Sequence, residues 1–115
     1  MSAEDIKAEI ISMLTDVGEG LSFVNLSEIE GFKGDLELEI EDKNIILWSG
    51  VSQDAITGLN QLMTDGIIDI VGTSELTYIA DGTLLAYPIA KSNRQYKTPR
   101  WLPSVINKGR MFDTA

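Results

Sequence analysis

Hydrophobic spacing changes period twice along this chain, and the order of the changes limits the folds open to it. Ile6, Ile10, Met13, Leu14 and Val17 fall at helical spacing. Ser2 precedes them as an N-cap, with Asp5 in a weak capping box, and Gly18 stops the run, which predicts a helix over 3–17. Leu36, Leu38 and Ile40 then alternate with Glu37, Glu39 and Glu41, the period of a half-buried strand with one acidic face. Asp42-Lys43-Asn44 reads as a turn and Ile45 to Trp48 as a second strand, so residues 35–48 are expected to form a hairpin. Helical spacing returns in Ala55, Ile56, Leu59, Leu62 and Met63, between a capping Ser52 and Gly66. Gly58 inside that helix, expected over 52–65, marks a close approach by another element. Helix, hairpin and helix in one chain indicate an α+β fold.

The remaining signals are local. Ser27-Glu28-Ile29-Glu30 reads as a capping box opening a short helical turn that Gly31 or Gly34 ends. Ile67 to Val71, Leu76 to Ala80 and Thr83 to Ile89 read as strands. Asp81-Gly82 between the last two reads as a type I′ turn, because both residues tolerate positive φ. The run from Gln61 to Ile68, with its Leu62-x-x-Asp65-Gly66-Ile67 step, then a strand, Asp81-Gly82 and another strand, resembles the second half of a winged helix-turn-helix domain. The resemblance covers residues 50–90 well and 3–34 in outline. It implies a small winged-helix-like domain with a recognition helix at 52–65 and a wing at 67–90. The hairpin at 35–48 departs from the family, which has a short turn there. It is either an insertion or a sign that helix 52–65 belongs to a different α+β arrangement.

Composition narrows the chemistry. At 115 residues the chain is expected to form one body over 1–91 and a tail over 92–115. There is no Cys and no His. Their absence removes thiolate nucleophiles, imidazole bases and metal sites built on sulfur or nitrogen, so neither a cofactor nor catalysis is expected. No Asp-x-Asp-x-Asp-Gly calcium loop and no Gly-x-Ser-x-Gly motif is present. No stretch is apolar enough to span a membrane. The acidic start Met-Ser-Ala-Glu-Asp lacks the features of a secretory signal, so the expected location is the cytoplasm.

Charge is split by position. Through residue 91 the basic residues are Lys7, Lys33, Lys43 and Lys91, set among every acidic residue except Asp113. From residue 92 on, Arg94, Lys97, Arg100, Lys108 and Arg110 face Asp113 alone, and the whole chain carries −9. The positions expected to be exposed on helix 52–65, among them Gln53, Asn60 and Gln61, include no Lys or Arg, which disfavours DNA reading there. The Glu37/Glu39/Glu41 stripe has a functional reading, a weak divalent-cation surface or a dock for a basic partner. It also has a plain one, a solvated strand face that discourages edge-to-edge pairing.

Pro99 and Pro103 break any helix in residues 92–115, yet Tyr96, Trp101 and Phe112 make the segment too aromatic for a purely solvated terminus. Three readings compete for it: tracking single-stranded nucleic acid, docking on an acidic protein surface, the chain's own or a neighbour's, or a disordered linker. The expected function is a non-catalytic interaction or assembly module. Its anchors are expected at Arg94, Tyr96, Lys97, Arg100 and Trp101, with Gln53, Asn60, Gln61, Glu37, Glu39 and Glu41 as a second surface. The partner is expected to be another protein, or a second copy through an exchanged tail. The rival is a winged-helix DNA-binding regulator, disfavoured by the acidic body; a mimic of nucleic acid that occupies a basic protein comes third.

Overall fold

The expected first helix forms as read. In a computed structural model that describes residues 2–92 and 94–114, helix α1 spans Ala3–Val17 and buries Ile6, Ile10 and Leu14. The Ser2 hydroxyl accepts from the Asp5 amide, and the Asp5 carboxylate accepts from the Ser2 amide, which completes the capping box. Gly18 ends the helix at φ +90°, its amide donating to the Leu14 carbonyl.

Strand β1 (Leu21–Ser22) leads into a short helix α2 (Phe23–Leu26). The capping box here is Ser22 with Asn25, not Ser27 with Glu30. The expected helical turn after Ser27 is absent because the Ser27 hydroxyl is committed backwards, donating to the Phe23 carbonyl at 2.7 Å. Residues 27–31 turn instead, and Phe32 is fully buried.

The expected hairpin is present with longer arms. Strand β2 (Lys33–Ile40) pairs antiparallel with β3 (Ile45–Val51) around a 3-10 turn at Glu41–Lys43, with Asn44 at φ +54°. Shifts in register interrupt the ladder at three places, and Leu36, on the apolar side of the alternation, is left exposed. Helix α3 (Gln53–Thr64) follows, with the Ser52 hydroxyl accepting from the Ala55 amide. Gly58 does mark a close approach. A Cβ there would lie 3.2 Å from Cγ of Lys7 and 3.3 Å from the Ala3 carbonyl oxygen, so α1 and α3 meet at that point.

After strand β4 (Ile68–Gly72) the structure departs from expectation. Leu76 to Ala80 is helical, in α4 (Leu76–Asp81), and Thr83 to Ile89 forms no strand beyond one bridge between Ile89 and Trp101. The wing expected at 67–90 is therefore absent. The Ser74 hydroxyl accepts from the Leu76 amide and starts the helix. Tyr78 is the residue α4 buries, a demand that a single helical turn meets as well as a strand would. Gly82 does take positive φ (+78°), but to cap α4 in the left-handed region rather than to turn a hairpin.

The partner of β4 comes from residues read as a tail. Strand β6 (Ser104–Lys108) lies between β1 and β4, antiparallel to both. Strand β5 (Arg100–Trp101) joins the second sheet, parallel to β3, in the order β2-β3-β5. The division at residue 91 into a body and an extended tail is corrected accordingly: Trp101 is 1% exposed and Ile106 fully buried. The described residues form a mixed α+β fold of four α-helices and two three-stranded sheets.

Phe23, Trp48, Tyr78 and Trp101 meet in the core, with neighbouring ring centroids 5.1–6.2 Å apart. The end of β6 crosses the α3–β4 corner, where the Gly109 amide donates to the Ile67 carbonyl at 2.8 Å. A Cβ on Gly109 would lie 2.2 Å from the Gly66 carbonyl oxygen. Gly109→Ala is therefore expected to destabilise by about 1–3 kcal/mol or more, read as a lowered denaturant midpoint at unchanged slope.

Candidate functional site

The residues expected to grip a partner grip their own chain. Trp101 is held by its backbone against residues 88–90: its amide donates to the Pro88 carbonyl, and its carbonyl accepts from the Ala90 amide. Its ring packs edge-on to Tyr78, 5.3 Å between centroids, and its Nε1 is buried with no hydrogen-bond partner among the described residues. Tyr96 is 8% exposed. Its hydroxyl donates to the Ser92 carbonyl and accepts from the amides of Lys91 and Ser92, at 3.0–3.3 Å. The guanidinium groups of Arg94 and Arg100 lie 5.0 and 4.9 Å from its ring centroid, at cation–π distance. Lys97 remains exposed. Charge and aromatic character did signal docking in this segment; its dock is the chain's own sheets.

Those contacts set the acidity of Tyr96. Burial pushes the phenol up, but the Ser92 amide, the Arg94 guanidinium and the Lys91 amide outweigh it and lower the pKa from the ordinary 10 to about 8. The folded value lies below the unfolded one. Tyr96 therefore contributes stability that is fully present above about pH 10 and is lost as pH falls through about 8. Absorbance titration of the phenolates is expected to show one early step among the three tyrosines. Tyr96→Phe should remove that step and flatten the rise in stability between those two pH values.

The second expected surface is partly assembled. Gln53 and Asn60, on one face of α3 with Ile56 between them, line a groove of about 530 Å³ with residues 35–39 of β2, Glu37 and Glu39 included. Gln61 is not part of it: it turns to α1, where its Oε1 accepts from Lys7 Nζ at 2.9 Å. The Glu41 side chain lies outside the described residues. Glu37 is fastened from below, accepting from Ser49 Oγ at 2.8 Å and from the Tyr87 hydroxyl at 2.5 Å. That bond to Glu37, with burial and the charges of Glu37 and Glu39 behind it, raises the Tyr87 pKa. Tyr87 carries no sequence signal for this role, because it reaches Glu37 from an irregular loop with no periodicity to read.

One apolar surface was also illegible. Leu76, Ile79 and Leu84 are 67%, 51% and 54% exposed. Ile79 and Leu84 border a small pocket of about 250 Å³ that Trp101 helps to line. Reading residues 76–80 and 83–89 as strands gave no sign of this surface.

A cleft of about 580 Å³ between the two sheets is lined by Ile40, Leu47, Met63 and Ile70 among others, and Lys91 is the ionisable residue among its described lining. Among the described residues no three His, Cys, Asp or Glu side chains gather as metal ligands would. No described helix is long and apolar enough to cross a membrane. No family model matches the chain, and neither a curated protein nor a solved structure matches it.

Proposed function

We propose that this chain is a non-catalytic protein-interaction module whose docking face is the groove between β2 and α3. The observation that carries this reading is the meeting of Asp35, Glu37 and Glu39 with Gln53, Ile56 and Asn60 around one groove. An acidic rim over apolar side chains suits a basic protein segment, since charge sets orientation and encounter while apolar contact supplies affinity. The sheet order adds support. The cations Arg94 and Arg100 sit with β5 and Tyr96, at the opposite side of the sheet from β2, so they do not neutralise the groove.

The rival, an elaborated winged-helix DNA binder, has one observation in its favour. Helix α3 passes through Gly66 into β4, and β4 pairs with β6, so a helix is followed by a hairpin whose tip is opened by residues 73–103. Against it, the exposed α3 residues Gln53, Asp54, Asn60, Gln61, Thr64 and Asp65 include no cation, and β2 sets carboxylates beside them. Phosphate contacts supply essentially all non-specific DNA affinity.

Titration of labelled duplex and single-stranded DNA with the full chain at low salt tests the choice. No binding is expected. Tight binding with a steep salt slope would overturn the interaction reading in favour of the rival.

A further inference from the structure

Among the described residues, strand β2 is the edge of its sheet, paired with β3 on one side only. Residues 35–39, across which the register with β3 shifts, all line one groove. On the side of β2 away from β3 the main-chain amides and carbonyls have no strand to pair with. The groove's other wall is the Gln53, Ile56 and Asn60 face of α3, at spacings that share one side of a helix. The space is thus bounded by a hydrogen-bonding strand edge on one side and a helix face on the other.

Charge decides which strand enters. Another copy of β2 would set Asp35, Glu37 and Glu39 against their equivalents, and like charges directly opposite are destabilising. The irregular register of β2 with β3 further discourages the flat edge-to-edge pairing that leads to aggregation. A strand of opposite charge escapes the repulsion and has only to follow the bent edge. The β2 pattern alternates Asp35, Glu37 and Glu39 with Leu36 and Leu38, and a paired strand keeps that period of two.

We infer, resting on the interaction reading above, that the open edge of β2 accepts an extended polypeptide segment alternating basic and aliphatic residues, which adds to the sheet as a further strand. Main-chain hydrogen bonds hold the segment, its basic side chains lie over the acidic ones of β2, and its aliphatic ones pack beside Leu36 and Leu38.

The test uses the full chain and capped peptides as long as β2. A peptide alternating Lys and Val is expected to bind at low salt, weaken as salt rises, and slow hydrogen exchange at those amides of residues 35–39 that face away from β3. A peptide alternating Glu and Val is expected not to bind. Two further Lys–Val peptides are N-methylated, one on each alternate set of amides. Only one edge of an added strand pairs, so one of these should bind like the parent and the other should lose at least tenfold in affinity. The double variant Asp35→Lys/Glu39→Lys should reverse the preference and admit the Glu–Val peptide. If both methylated peptides bind like the parent, strand addition is overturned while the acidic groove stands as a docking face. If no Lys–Val peptide binds at low salt, the inference and the groove reading fall together.

Discussion

Deletion of residues 92–115 leaves no cooperatively folded protein. The cut removes β6 from between β1 and β4 and strips both of their hydrogen-bonded neighbour. It also removes Trp101 and Ile106 from the core. Truncating one large buried aromatic costs about 3–5 kcal/mol, and a domain of this size has about 5–15 kcal/mol in total. Loss of the central strand, a tryptophan and an isoleucine together exceeds that reserve. The deletion variant is expected to lose its near-UV circular dichroism and its sigmoidal denaturant transition. The single change Trp101→Ala should keep a transition but lower its midpoint by the equivalent of about 3–5 kcal/mol. A deletion variant that unfolds cooperatively, with near-UV signal intact, would show that residues 1–91 fold alone.

Tyr78→Phe is expected to cost more than a lost hydroxyl on a surface would. The Tyr78 hydroxyl donates to the Ser104 carbonyl at 2.5 Å and accepts from the Phe23 amide at 3.1 Å, both buried. It ties α4 to the start of β6 and to the first turn of α2. Phenylalanine fills the same space and strands both main-chain groups away from water. Each such group costs about 1–3 kcal/mol, so a loss of about 2–5 kcal/mol is expected in denaturant unfolding. A loss below about 0.5 kcal/mol would mean that water reaches the site. The ring itself should stay packed against Trp48 and Trp101, which near-UV circular dichroism would report.

The contrast between these positions and those read correctly shows where sequence reasoning has purchase. Helix α1, the β2–β3 hairpin and α3 were legible because each carries its own period and its own cap: Ser2, the turn ending at Asn44, Ser52 and Gly66. Long-range pairing leaves no such mark. Val105 and Ile106 look alike whether they lie in a tail or in the middle of a sheet, and nothing near them names Ser22 or Val71 as partners. The second half misled for a related reason. Leu76 to Ala80 is too short for its period to separate strand from helix, and Asp81-Gly82 offers a left-handed conformation that serves a hairpin turn or a helix cap equally. The candidate groove was half legible. Gln53, Asn60, Glu37 and Glu39 were named on separate elements, but only the fold brings the α3 face to the edge of β2 and sends Gln61 elsewhere.

The central place of β6 also governs when this protein can exist. Leu21 pairs with Ile106, and the Gly20 amide donates to the Asn107 side chain at 2.7 Å, so elements near one end wait for residues far along the chain. Contacts of such sequence separation are entropically expensive to close and form late. On the ribosome, β1 and β4 emerge as strands without a neighbour, and the sheet closes only once residues 104–108 have been released. A product stopped before Lys108 would leave β1 and β4 without the strand that joins them.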